Sequence, residues 1–320
     1  MIPRHGRADL GEREMKTRGG WVCALALVAV SAVAARAGAT DVAVVKSSEV
    51  AAWRPAIDAL RRSAASYAFT EYDLRNDRAT ADGVLAGLRG KNFIVVAMGP
   101  LAAQLVRTNL PDTPLVFSMV QDPAALGLTP APNVTGVAFT IPVKNQIAAF
   151  RMVNPKGVRI GVIYKDENTG RLVEEAEKAA GLLRVALVAK PITAERDVPS
   201  ALRALLTGDS AVDALWIPPD PLLLGDQTRR FLMAEILKAG RPIYASSSAL
   251  VAEGALVSNA PDFTSIGDQI AELVNRLASG EHGRIEMLVP RAELVINKKV
   301  AGRLKIELPA EALKAASKVF

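Results

Sequence analysis

From Asp41 onward the chain alternates short apolar runs with amphipathic stretches, and the rhythm restarts once near the middle. DVAVVK (41–46), FIVVA (93–97) and RIGVIY (159–164) are apolar on consecutive residues. A strand reads this way when both faces of its sheet are covered, as in parallel sheets flanked by helices. In the first unit the pattern predicts strands at 41–46, 70–74, 93–97, 114–119 and 134–139, with helices over 50–65, 79–88 and 101–108. In the second it predicts strands at 159–164, 185–189, 214–217, 242–245 and 256–258. The helices there fall over 170–183, 198–207, 228–239 and 263–277, before a more irregular stretch. The units join near Thr140–Ile147 without a long Pro/Ser linker. The expected fold class is α/β: two Rossmann-like lobes, each a doubly wound, mostly parallel sheet, joined by a hinge. Ligands bind outside the carboxyl ends of such strands, so two lobes can face one another across a cleft.

Half of the 320 residues are hydrophobic, enough to bury two cores. The +6 charge says little about partners, because the first 39 residues hold six bases against three acids. No later Lys/Arg cluster makes a nucleic-acid footprint, and no nucleic-acid partner is expected.

The first 39 residues read as an N-terminal extension and signal peptide. Lys16 and Arg18 precede an apolar run from Trp21 to Ala35, followed by Ala-x-Ala spacing at 35–37 and 37–39. The run is shorter than the roughly 20 residues of a membrane-spanning helix, although a retained anchor is the alternative. Met15 begins a more ordinary signal peptide than Met1 does. Cys23, the only cysteine, lies inside the apolar run, so cleavage leaves no thiol for disulfides, catalysis or metal. The expected location is the periplasm.

The loops after the strands carry the candidate binding residues. Ser47, after the first strand, has a hydroxyl for a ligand or for a helix cap. Gly99 and Pro100 open a helix after FIVVA, where backbone amides suit a carboxylate, although a plain strand-to-helix turn explains them equally. Asp122, followed by proline, holds a carboxylate at the sheet edge for an amine or hydroxyl, or starts the next turn. Tyr164 is placed to wall a pocket, and Asn168 or Thr169 to cap the following helix and leave amides that favour an anion. Asp220 sits among three prolines after ALWI, and Ser247 follows RPIYA.

None of this forms a catalytic constellation. His282, in a polar turn, is the one histidine after the leader, which rules out a Ser–His–Asp arrangement built on any other. There is no His/Cys metal cluster, nucleotide loop or dinucleotide fingerprint, and no cofactor is expected. Asp122 and Asp220 are the one plausible carboxylate pair for an exported hydrolase. The expectation is a binding protein and not an enzyme.

Several stretches together resemble a known family. They are PLVFSMVQDPAALGL (114–128) with NVTGV (133–137), RIGVIY (159–164), DALWIPPDP (213–221), the run 241–274, and ELVINKKVAGRLKIELP (293–309). They look like the periplasmic substrate-binding proteins of the tryptophan/tyrosine-type ABC-transporter family, which have the type I periplasmic binding fold. The resemblance covers about Asp41 to Pro309. It implies three hinge crossings, with a first lobe of 41–141 plus 263–290 and a second of 142–260 plus 291–320. It also implies delivery of a small polar ligand to a membrane permease, and a delivery protein is expected to be a monomer that closes on its ligand. The paired hydroxyls, acids and helix N-termini suit an amino acid, and equally a small organic acid or nucleoside. A sensing module that hands its closed state to a signalling receptor is the alternative. The compact Tyr164–Thr169 stretch and Ser47-Ser48-Glu49 depart from the family's usual loops, so its aromatic amino-acid ligand is not carried over.

Overall fold

The structure, a computed structural model, describes residues 41–208, 211–281 and 284–320. The signal-peptide reading, Met15, Cys23 and His282 lie outside these residues.

The first α/β unit contains β1 (Asp41–Lys46), α1 (Arg54–Ser63), β2 (Phe69–Asp73), α2 (Arg78–Leu88) and β3 (Phe93–Met98). It continues with α3 (Pro100–Asn109), β4 (Leu115–Ser118) and β5 (Val134–Gly136). The five strands form one parallel sheet in the order β2-β1-β3-β4-β5. Alternate residues face opposite layers. Val42, Val44, Ile94 and Val96 pack on one side, Ala43, Val45, Val95 and Ala97 on the other, all fully or almost fully buried.

The second unit begins with α4 (Val143–Val153), β6 (Arg159–Lys165), α5 (Asp166–Leu182), β7 (Ala186–Ile192), α6 (Val198–Leu206) and β8 (Ala214–Ile217). It continues with α7 (Pro221–Leu224), α8 (Asp226–Lys238), β9 (Ile243–Ala245), α9 (Ser248–Glu253), β10 (Val257–Pro261) and α10 (Phe263–Ala278). The last elements are β11 (Ala292–Ile296), α11 (Lys298–Arg303), α12 (Ala310–Ala315) and β12 (Lys318–Val319). The sheet order is β12-β11-β10-β9-β8-β6-β7. Its parallel part, β7-β6-β8-β9-β10, repeats the strand order of the first sheet, and β11 adds on antiparallel to β10. Each sheet therefore reverses direction of strand addition between its first and third strands, and a crevice opens at that point.

The helix α4 and the tail differ from the sequence pattern, as do the short helices α7 and α9, which it does not mark. The segment expected to join the units holds α4, whose Val143, Ile147, Phe150 and Val153 are buried against the second sheet. That apolar spacing is helical, and Pro142 ends the preceding extended chain before the helix starts. The irregular tail contains β11, α11, α12 and β12, which are too short for periodicity to mark.

The chain passes between the sheets three times: from β5 to α4, from β10 to α10, and from the segment beside β5 to β11. Although it follows β10, α10 packs on α1 and the first sheet, burying Ile266, Ile270, Leu273 and Val274. Ser63 donates to Asp268 at 2.6 Å across this contact. Gly267 makes the closeness possible, since a Cβ there would lie 2.1 Å from the Ala56 carbonyl oxygen. On the return, the Leu288 amide donates to Gly136 and the Ala138 amide to Leu288, both at 2.9 Å, beside the edge of β5.

Candidate functional site

The crevice of the first sheet lies between the ends of β1 and β3. Ser47, 2% exposed, follows β1, but its Oγ accepts from the Ala102 amide at 2.9 Å in the first turn of α3. The hydroxyl therefore caps the helix after β3 and not the one after its own strand. Gly99, the residue before α3, has φ +91°, and a Cβ on it would lie 2.7 Å from Ser47 Oγ and 2.9 Å from Trp53. A residue with no side chain is needed there, and Ser47 supplies the cap it lacks. Pro100 is exposed at the first helical position, where its missing N–H costs nothing.

The second crevice, between β6 and β8, is stitched by Asp220. This carboxylate is fully buried and accepts four hydrogen bonds. The donors are the Lys165 amide at 2.9 Å, Asn168 Nδ2 at 2.9 Å, Thr169 Oγ1 at 3.0 Å and the Leu222 amide at 3.0 Å. They fill its acceptor sites, so Asp220 ties the strand end of β6 and the first turns of α5 to the strand end of β8. The expectation that Asn168 or Thr169 caps the helix is corrected here. The α5 helix starts at Asp166, and both residues lie within its first turns with their side chains turned onto Asp220. The Lys165 amide is held by Asp220, so no local side-chain cap is needed and the helix begins earlier.

Between the carboxyl ends of the two sheets lies a cavity of about 490 Å³. Gln121, Asp122 and Thr140 line it from the side of the first sheet; Asn168, Thr169 and Arg171, with Pro219 and Pro221, line it from the second. Met119, buried and in the left-handed region at φ 59°, turns the chain just before Gln121 and Asp122 reach the cavity. Asp122 Oδ1 accepts from the Ala125 amide at 3.1 Å and starts the next turn. Its Oδ2 accepts from Arg171 Nη1 at 2.9 Å, an ion pair that runs from the first sheet's loop to the second sheet's α5. Four lining carboxylates (Asp122, Asp166, Glu167, Glu175) meet one lining guanidinium, so the cavity is electronegative.

Of the residues singled out from sequence, the structure brings Asp122, Asn168 and Thr169 to the cavity wall. Ser47, Gly99, Pro100, Tyr164, Asp220 and Ser247 do not line it. Tyr164 packs against the core beneath α5, where burial, and then the charges of Asp166, Glu177 and Glu174, raise its hydroxyl pKa. Ser247 stands at the start of α9 without a side-chain capping bond. Arg171 and Glu175 were missed, because an Arg–Glu pair one turn apart reads as an ordinary solvated helix face. The signal that finds them is position: both lie in the early turns of a helix that opens at a strand's carboxyl end.

Beside the first crevice, Lys46 is almost completely buried at the end of β1 and pairs with Glu49 and, at 3.0 Å, with Glu71. Arg61 also reaches Glu71, at 2.7 Å. Burial alone would raise the Glu71 carboxyl, but the hydrogen bond and charge of Lys46, with Arg61, outweigh it and hold the group below its usual value. Among the described residues no cluster of potential metal ligands is found, and no helix is long and apolar enough to cross a membrane.

The family model described as ABC transporter substrate binding protein matches residues 42–320. The chain is similar in fold to three solved structures, each covering 88% of it. A substrate-binding protein with adhesive properties from Clostridium difficile, in its ligand-free, open structure, superposes with TM-score 0.77 at 19% identity over 99% of its own length. An ABC domain in complex with L-Trp from Streptococcus pneumonia gives TM-score 0.64 at 22% identity over 99% of that chain. A conserved domain protein from Vibrio cholerae gives 0.64 at 24% identity over all of its length. Among curated proteins none matches the chain.

Proposed function

This chain belongs to the family of ABC transporter substrate-binding proteins, and from that premise we propose that it captures a small polar molecule in the cleft between its lobes and delivers it to a membrane permease. The observation that carries the reading is the cavity between the carboxyl ends of two doubly wound sheets, where such folds take their ligands. Capture works by hinge closure. A ligand that touches both lobes favours the state in which both touches are made, and its differential affinity shifts the population. Three backbone crossings between the sheets are the hinge about which the lobes rotate.

In this reading Asp122 and Asn168 contact the ligand, together with Gln121, Thr140 and Arg171. Ser47, Gly99, Thr169 and Asp220 build the walls that hold those contacts in place. The excess of carboxylates favours a ligand bearing an ammonium group, and the lone Arg171 suits a carboxylate on the same molecule, which together describe an amino acid or a close relative. The protein acts as an exported monomer, without catalysis.

A thermal-shift screen of the purified chain against amino acids, organic acids and nucleosides tests this. A ligand that binds only the native state stabilises it by mass action, by about 2.7 kcal/mol at one hundred times Kd. One compound class raising Tm, with Asp122→Asn weakening the shift, is the expected result. A flat panel after the protein has been denatured, freed of any carried ligand and refolded overturns the proposal.

A further inference from the structure

Among the described residues, Asp122–Arg171 is the one ion pair whose partners belong to different sheets. Every other salt bridge there joins residues of the same unit, as Lys46–Glu71 does in the first and Arg229–Glu253 in the second. Asp122 is held from its own side, since Oδ1 accepts the Ala125 amide and leaves Oδ2 aimed at the guanidinium. Arg171 is held from the other side, with Nε 3.8 Å from Glu175 one turn further along α5. Each partner thus has a second contact on its own side of the cleft, a hydrogen bond for Asp122 and a longer charge contact for Arg171, and the pair bridges the two units.

We propose that Asp122–Arg171 is an electrostatic tether that sets the separation of the lobes in the empty protein. The inference rests on the hinge-closing reading of the cleft. With the tether in place the lobes stay within reach of one another at the cavity wall. Without it the backbone crossings alone restrain them, and they spread over a wider range of separations. The pair is solvent-accessible, with Arg171 72% and Asp122 38% exposed at the side chain, so salt weakens the tether.

The experiment measures lobe separation in ligand-free protein, and no ligand need be known. Spin labels on the exposed positions of N92C in the first unit and K238C in the second, in a C23S background, report interlobe distances. Small-angle scattering of unlabelled protein reports overall dimensions. Asp122→Asn and Arg171→Gln should each widen the distance distribution and reduce the short-distance population about 1.4- to fivefold, the range for an accessible ion pair. The charge-swapped double variant D122R/R171D should restore it, which a merely structural role for either side chain would not. Raising salt to about 1 M should make the unsubstituted protein resemble the single variants, because the screening length falls to about 3 Å, and should leave the variants unchanged. If the lobes move but the variants and salt leave the distribution unaltered, the tether is overturned and the binding function stands. If every protein gives the same single narrow distance in all conditions, the hinge-closing reading fails and takes the tether with it.

Discussion

Asp220 concentrates more buried hydrogen bonding than any other side chain near the cleft. Its replacement by Ala leaves four donors facing a void, and buried polar groups left unpaired cost about 1–3 kcal/mol each before relaxation. Asp220→Ala should lower stability in urea unfolding by about 3 kcal/mol or more. Asp220→Asn keeps one acceptor but turns an NH2 toward existing donors, and should cost about half as much. Glu71 gives a prediction with a definite sign. Its folded pKa lies below the usual 4.5, so its contribution is present above that value and is lost as pH falls through the folded pKa. Lys46 is pulled down by burial, but Glu49 and Glu71 outweigh this and raise it above 10.5, so its share is lost only as pH rises through its folded value. Glu71→Gln should therefore flatten the acid limb of the stability–pH curve while destabilising the protein at neutral pH. The acid at position 220 was legible in sequence as a strand-end carboxylate. Its partners were not, because three of the four lie 51 to 55 residues away along the chain.

At the scale of elements, the contact of α1 with α10 and the seat of α3 are close joints that leave no room for a side chain on their glycines. A side chain at Gly267 would meet backbone, so Gly267→Val must push the helices apart, with an expected loss of about 1–3 kcal/mol and a fall in Tm. Ser47→Ala removes the cap on α3 and should cost about 1 kcal/mol. Gly99→Ala combines a positive φ with a contact under 3 Å, and should cost more than Ser47→Ala in the same urea titration. Buried parallel strands announced themselves: β1 and β8 have the bounds read from sequence, and β3 and β6 exceed theirs by a single residue. The helices α1 and α5 start four residues from the expected positions: a 3-10 turn (Ala51–Trp53) precedes α1, and α5 opens where Asp220 holds the Lys165 amide from 55 residues away. The tail was opaque for a different reason. β11 pairs antiparallel with β10, and Asn297, which caps the short α11, also donates to the Val251 carbonyl 46 residues away, so the placement of both depends on partners that a local pattern does not display.

For the molecule as a whole, the two-lobed architecture was visible in the restart of the strand rhythm, whereas the content of the cleft was not. A sequence marks which loops follow strands, but not which of their side chains turn outward. Of the nine residues chosen on that ground, three line the cavity and six do not, and Arg171, on a helix, reaches it instead. The interleaving of the chain has a consequence for how this protein is made. The layer of the first sheet that α10 covers can be completed only after all five parallel strands of the second sheet have been synthesised, for Ser63 and its partner Asp268 are 205 residues apart. The lobe begun first is thus finished last, and until then Val42, Val44 and Ile94 lack part of their cover. Contacts so far apart along the chain close slowly. In pulse-labelled hydrogen exchange during refolding, the amides of β6 to β10 should gain protection before those of β1 to β5 and α10. A chaperone that binds exposed apolar surface should accordingly capture the amino-terminal half of the nascent chain in preference to the half that follows it.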